Sequence, residues 1–211
     1  MDSKARLIEV ADPSDPVGIV LVLHGGAGRG MRPVSPAQLS VVRMVPIARS
    51  IAKAGRGRLA VYRLLNSTRG WNDDHTPVDD AWWALDEIAR RRGEKLPAVL
   101  VGHSLGGRAA IFASGREEVV GAVGLAPWFT AADDPRGTAG KRVLIVHGDH
   151  DRIASIQRAA SVARRIGMRA DVEFVVVEGG KHAMLRHGRE FVDPATDFAL
   201  RTLGVPLGGS A

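Results

Sequence analysis

The chain has 211 residues, below the roughly 250 at which one hydrophobic core usually divides. A single domain over 1–211 is therefore expected, with a mobile end from about residue 204. The absence of cysteine excludes disulfides, thiolate metal sites and a cysteine nucleophile. An excess of 29 Lys+Arg over 23 Asp+Glu, +6 in all, raises nucleic acid as a partner, but the basic residues are spread from Arg6 to Arg201 and read as a solvated surface.

In chain order, residues 1–10 alternate charged and apolar side chains and lack the basic start and apolar stretch of a secretory signal. No run approaches the ~20 apolar residues of a membrane span, so a cytoplasmic location with no membrane span is expected. Apolar, β-branched runs at 7–10, 18–23, 59–63, 98–101, 119–125, 142–146 and 172–177 predict seven strands. Ile19-Val20-Leu21-Val22-Leu23 is apolar throughout, as suits a central parallel strand buried on both faces. Helices are predicted at about 37–54, 77–92, 105–114, 153–167 and 190–203, bounded by glycine, proline or polar residues. In the second of these, Ala81, Trp82, Leu85 and Ile88 recur at helical spacing and face a core. Arg90, Arg91 and Arg92 close that helix, where cations meet the negative end of its dipole. The alternation predicts an α/β fold, a mostly parallel sheet with helices on both faces. Glycines 25, 26, 28 and 30 follow the second strand, but GGAGRG lacks the third glycine of a dinucleotide loop and the lysine of a P-loop.

The fourth strand runs into Gly102-His103-Ser104-Leu105-Gly106-Gly107 and then a helical stretch. G-x-S-x-G between strand and helix is the pattern of a nucleophile elbow. A serine on so sharp a turn has strained backbone angles, and the flanking glycines let strand and helix approach. Its hydroxyl then stands clear at the C-terminal edge of the sheet. A hydroxyl needs a base, and the base an orienting acid. Both have candidates in the required order: Asp149 and Asp151 in His147-Gly148-Asp149-His150-Asp151-Arg152-Ile153, then His182 in Glu178-Gly179-Gly180-Lys181-His182. Asp133 and Asp134 offer a further acid, and His187 a further base.

These segments resemble the α/β-hydrolase superfamily, in particular its small lidless serine esterases and lysophospholipase-like members, over about 7–203. HGDHDRI is similar to the family's H-G-x-x-D-x-[VI] segment, whose second acidic residue is the triad acid. The resemblance thus implies Ser104 as nucleophile, His182 as base and Asp151 as acid, with Asp149 the nearer rival. Leu23-His24-Gly25-Gly26-Ala27-Gly28 resembles the H-G loop after the third strand of the family, which implies the Gly26 and Leu105 amides as oxyanion donors. Residues 126–141 leave too short a span for the helical lid often inserted there.

Without a lid, a pocket must come from loops at the sheet's C-terminal edge. Trp71, Trp128 and Phe129 are candidate substrate contacts, packing beneath a loop being the equal alternative. Arg69 either meets an anionic group or lies exposed, and 29–46 either shapes a wall or leads into the first helix. No cofactor or metal is implied, since the triad explains Asp151 better than a ligand cluster does. The expected activity is cleavage of small soluble carboxylic esters through an acyl-enzyme. Thioester or peptide cleavage on the same residues, or a binding protein that kept only the fold, are the alternatives.

Overall fold

The computed structural model describes residues 4–71 and 75–207. Within them, seven strands form one sheet: β1 (Arg6–Ala11), β2 (Gly18–Leu23), β3 (Leu59–Leu65), β4 (Ala98–His103), β5 (Val119–Leu125), β6 (Arg142–Gly148) and β7 (Asp171–Val177). Their spatial order is β1-β3-β2-β4-β5-β6-β7. β1 is antiparallel to β3, and the other pairings are parallel. This is the expected sheet. Three of the parallel strands run past their predicted ends, β3 to Leu65, β4 to His103 and β6 to Gly148, so parallel pairing continues up to the loops that hold the candidate site. The H-G loop follows β2, the second strand of this chain.

Six helices are described: α1 (Leu39–Val42), α2 (Met44–Ala54), α3 (Thr76–Arg92), α4 (Leu105–Ala113), α5 (Ile156–Gly167) and α6 (Gly188–Thr202). Alternation along β2 divides the core. Val20 and Val22 pack with Met44, Ile47 and Ile51 of α2 and with Phe191 and Phe198 of α6. Ile19, Leu21 and Leu23 face Ala81, Leu85 and Ile88 of α3 and Ala109 of α4. Each fully buried phenylalanine contributes about 2–3 kcal/mol. Trp82 is only half-buried and donates its indole N–H to the Ala113 carbonyl (3.0 Å), tying α3 to α4.

Two of the predicted helices depart from expectation by more than one or two residues at an end. The helix predicted over 37–54 breaks at Arg43, because Pro46 has no amide to donate to the Val42 carbonyl and its ring crowds that position. The helix predicted from 153 begins at Ile156. The Ile153 and Ala154 amides are taken by the Asp151 carboxylate, and the Ser155 hydroxyl caps the helix by accepting from Arg158 N–H.

The segment after β2 is tied to the one after β3. Ala27 N–H donates to the Arg69 carbonyl (2.7 Å), Arg69 N–H to Arg32 (3.0 Å) and Trp71 N–H to Ala27 (3.1 Å). Residues 126–141 hold one turn of 3-10 helix, Arg136–Thr138, and no cap domain. At the chain end Val205 is buried and donates its N–H to the Leu200 carbonyl, so residue 205 belongs to the core; Gly208 onward lies outside the described residues. Among the described residues no helix is long and apolar enough to cross a membrane.

Candidate active site

Ser104 occupies the tight turn between β4 and α4 with φ +56°, a left-handed conformation that is strained for a residue with a Cβ. Surrounding contacts hold it there: Ser104 N–H donates to the Leu125 carbonyl (2.9 Å), and its own carbonyl accepts from Arg108 and Trp128 (both 3.1 Å). A Cβ on Gly102 would strike the Gly106 carbonyl, and one on Gly106 the His24 carbonyl. Glycine is required on both sides because strand, helix and the preceding loop meet there backbone to backbone.

The loops after β6 and β7 bring two further groups to this serine. Gly148 lies against Gly180, and His150 N–H donates to the Gly180 carbonyl (3.0 Å). His182 Nε2 is 3.0 Å from Ser104 Oγ, and His182 Nδ1 is 2.7 Å from Asp151 Oδ2. With the carboxylate accepting from Nδ1–H, the Nε2 lone pair is left to accept the serine proton. The Asp151 carboxylate is fully buried. Burial alone would raise its pKa, but the His182 ring and the Ala154 and Ile153 amides outweigh this and hold it below the ordinary range.

The rival acids are engaged elsewhere. Asp149 Oδ1 accepts from Gly179 N–H (2.7 Å) and braces the β7 loop. Asp133 takes the Arg108 guanidinium in a two-pronged pair (2.6 and 2.8 Å), and Asp134 pairs with Arg136 and Arg169. His187 contacts Glu190.

Three buried histidines, none assigned a role from sequence, surround the hydrogen-bonded line. His24 accepts Asn66 N–H on Nε2 and donates from Nδ1 to the Gly25 carbonyl. His103 donates Nε2–H to the His182 carbonyl (2.9 Å), its ring 4.9 Å from that of His182. His147 donates Nε2–H to the Ala154 carbonyl, at the end of the turn that Asp151 closes. Burial lowers the pKa of all three, that of His103 to about 3 with help from the neighbouring His182. They are neutral, oriented braces. None of the three gave a signal in the sequence beyond its neighbours.

The aromatic candidates separate. Trp128 is half-buried and lies against Gly28 of the loop after β2. Trp71 is buried, with the Arg108 guanidinium 3.8 Å from its ring centroid and Phe112 at its edge. Phe129 is buried among Ile111, Val143 and Val162, away from the mouth. Arg69 is exposed. Leu105 opens α4, and the first amides of a helix have no partner within it. Among the described residues the Gly26 amide has no backbone acceptor, and a Cβ on Gly26 would lie 3.0 Å from the Leu105 side chain. Beside His182 opens a hollow of about 570 Å³ between the β6 and β7 loops, bordered by His150, Ile153, Lys181 and Ala183.

The sequence profile of the alpha/beta hydrolase family matches residues 82–190, more than half of the chain. No curated protein matches the sequence. Among solved structures, the fold is shared with an esterase, Est2, from the planctomycete Thermogutta terrifontis (TM-score 0.72, 16% identity, covering 98% of this chain and 90% of that one). It is shared too with Est1E from Butyrivibrio proteoclasticus, with ferulic acid bound (0.65, 16%, 95% of each chain), and with a monoacylglycerol lipase from Paleococcus ferrophilus (0.64, 16%, 94% and 99%). At such identities these structures speak to the fold alone, and the matched profile, which takes in the elbow, β6 and the His182 loop, carries the assignment: the chain belongs to the alpha/beta hydrolase family and is a hydrolase.

Proposed function

We propose that the chain, acting as one catalytic domain, cleaves carboxylic esters of small soluble substrates through an acyl-enzyme, without a cofactor. The observation that carries this reading is the line Ser104 Oγ–His182 Nε2–His182 Nδ1–Asp151 Oδ2, at 3.0 and 2.7 Å. Ser104 Oγ attacks the ester carbonyl as its proton passes to His182 Nε2. The tetrahedral oxyanion accepts from the Gly26 and Leu105 amides, donors of a kind worth about 3–4 kcal/mol each. His182 then gives the proton to the departing alkoxide, leaving an acyl-serine and a free alcohol. Water attacks the acyl-serine, again losing its proton to His182, which returns it to Ser104 Oγ as the acid departs. Asp151 holds the ring in the tautomer that accepts at Nε2 and stabilises the imidazolium. The names of the structural neighbours, two esterases and a monoacylglycerol lipase, favour an ester over a peptide.

A fluorophosphonate probe tests this directly. One label per chain is expected, lost in Ser104→Ala with the fold retained by circular dichroism, and chromogenic esters should be turned over faster than thioester or peptide analogues. Labelling of Ser104→Ala equal to that of the parent would place the nucleophile elsewhere and end the proposal.

A further inference from the structure

A second hollow, about 660 Å³, runs between α1–α2 and the start of α6, walled by Leu39, Val42, Pro46, Ile47, Leu185 and Val192. Three of these apolar side chains stand at its rim with much of their surface in water: Leu39 is 78% exposed, Leu185 81% and Val42 46%. Contiguous exposed apolar surface of this kind marks a binding face. The groove adjoins the hydrogen-bonded line, because Ala183 and Met184, which directly follow His182, form part of its wall.

Two guanidinium groups stand in this wall, those of Arg43 and Arg189, and the first is the buried one short of a partner. Arg43 sits at the break between α1 and α2, and its Nε is buried without a hydrogen-bond partner. Among the described residues no carboxylate pairs with it, in contrast to Arg92, Arg108 and Arg116, each matched to an aspartate. Burial lowers its pKa, as expected of a cation short of a compensating anion. It shares the groove with Ala183 and Met184, which follow His182 in the chain. Arg189 and Asp193 line the groove from α6. The cation therefore stands near the reacting centre, and the apolar walls continue along α2. From Arg43 to Ser50 the helix covers about 10 Å, the length of a chain of roughly eight carbons.

We propose that this groove is a subsite for an anionic amphiphile, with a carboxylate or phosphate head on the Arg43 guanidinium and an aliphatic tail of about eight carbons between α1–α2 and α6. It rests on the ester-hydrolase reading in one respect: the ligand is a substrate's charged half or the released acid. A lone apolar groove would take any aliphatic chain. The unmatched cation selects for the charged head.

Calorimetric titration of the whole chain and of Ser104→Ala, each below the aggregation limit of the ligand, tests this with butyrate, hexanoate, octanoate, octyl phosphate and octanol. Octanoate or octyl phosphate is expected to bind at least tenfold tighter than octanol, the tighter of the two identifying the head group, and affinity should rise about two- to fourfold per methylene from butyrate to octanoate. Arg43→Gln should abolish the preference for a charged head while leaving octanol unchanged, with Arg43→Lys restoring part of it. Val42→Glu, at an exposed position that does not endanger the core, should weaken every ligand with a tail. Equal affinity for octanoate and octanol, an Arg43→Gln variant as tight as the parent, or binding only to aggregated ligand would overturn the proposal, the last outcome marking a lipid-surface face instead. Because the readout is equilibrium binding, chain-length-dependent binding without ester turnover sinks only the esterase reading. Turnover without such binding sinks only this one.

Discussion

Replacing Asp133 with alanine should destabilise the fold severely and leave the chemistry nearly intact. The Asp133 carboxylate accepts four donors: Arg108 Nε (2.8 Å) and Nη2 (2.6 Å), and Thr130 N–H (2.9 Å) and Oγ1–H (2.7 Å). The paired side chains are only 8% and 4% exposed. Deleting one partner of such a pair strands the other charge in the core, at a cost of about 3–5 kcal/mol. The Trp71 ring under the guanidinium is present in parent and variant alike, so its cation–π attraction cancels and offsets none of this. The full loss is therefore expected. For a chain of this size each kcal/mol lowers Tm by about 2–4 °C, giving a fall of about 6–20 °C. Urea unfolding followed by tryptophan fluorescence, with Trp71 reporting on the site, measures the loss. Turnover per folded molecule should stay within about tenfold of the parent, since Asp133 makes no hydrogen bond to the Ser104–His182–Asp151 line. In Arg108→Met/Asp133→Leu, which removes both charges at similar volume, most of the stability should return. A loss below about 1 kcal/mol in Asp133→Ala would refute the reasoning, because the pair would then have been solvated.

Asp151→Asn should lower kcat by at least ~10² with little change in KM, whereas Asp149→Asn, which loosens only the Gly179 contact, should cost clearly less; steady-state kinetics with the reverse ranking would reassign the acid. Stability should fall as pH drops below the ordinary histidine value of 6.5, well before most carboxylates titrate. The folded His103 stays neutral down to about 3 while the unfolded chain takes up the proton, so each such ring contributes a slope of up to about 1.4 kcal/mol per pH unit. His103→Gln should remove about one proton's worth of that slope in urea midpoints measured from about pH 7 to pH 5. An unchanged slope would mean that His103 protonates freely in the folded state.

The strands were legible because a parallel sheet buried on both faces demands continuous apolar runs, and β2 and β4 supply them. The elbow was legible because the turn tolerates so few sequences. Where prediction departed from structure, the deciding contact was distant or carried by one side chain. Whether Pro46 would end a helix or sit in its first turn depended on where that helix began. The start of α5 depended on the Asp151 carboxylate taking two amides. Phe129 follows Pro127-Trp128 and reads as a mouth residue, yet α5 and the β5–β6 face supply a core for it. Nothing local links Arg108 to Asp133, or Arg43 to the groove below the His182 loop. Such pairs belong to packing, which one-dimensional patterns do not encode.

The glycine-on-backbone contacts at the elbow have an evolutionary corollary. Gly102 against Gly106, Gly106 against the His24 carbonyl, and Gly148 against Gly180 hold the Ser104 turn and the loops after β6 and β7 through main-chain atoms, which every allele shares, and not through the side chains that line the hollows. On the readings proposed above, drift at positions such as Leu39, Val42, Trp128 and Leu185 therefore changes what is admitted without moving the serine. A randomised library at those four positions should retain phosphonate reactivity in most folded clones while spreading widely in preferred ester. The protein is to that extent a fixed reactor behind an exchangeable door.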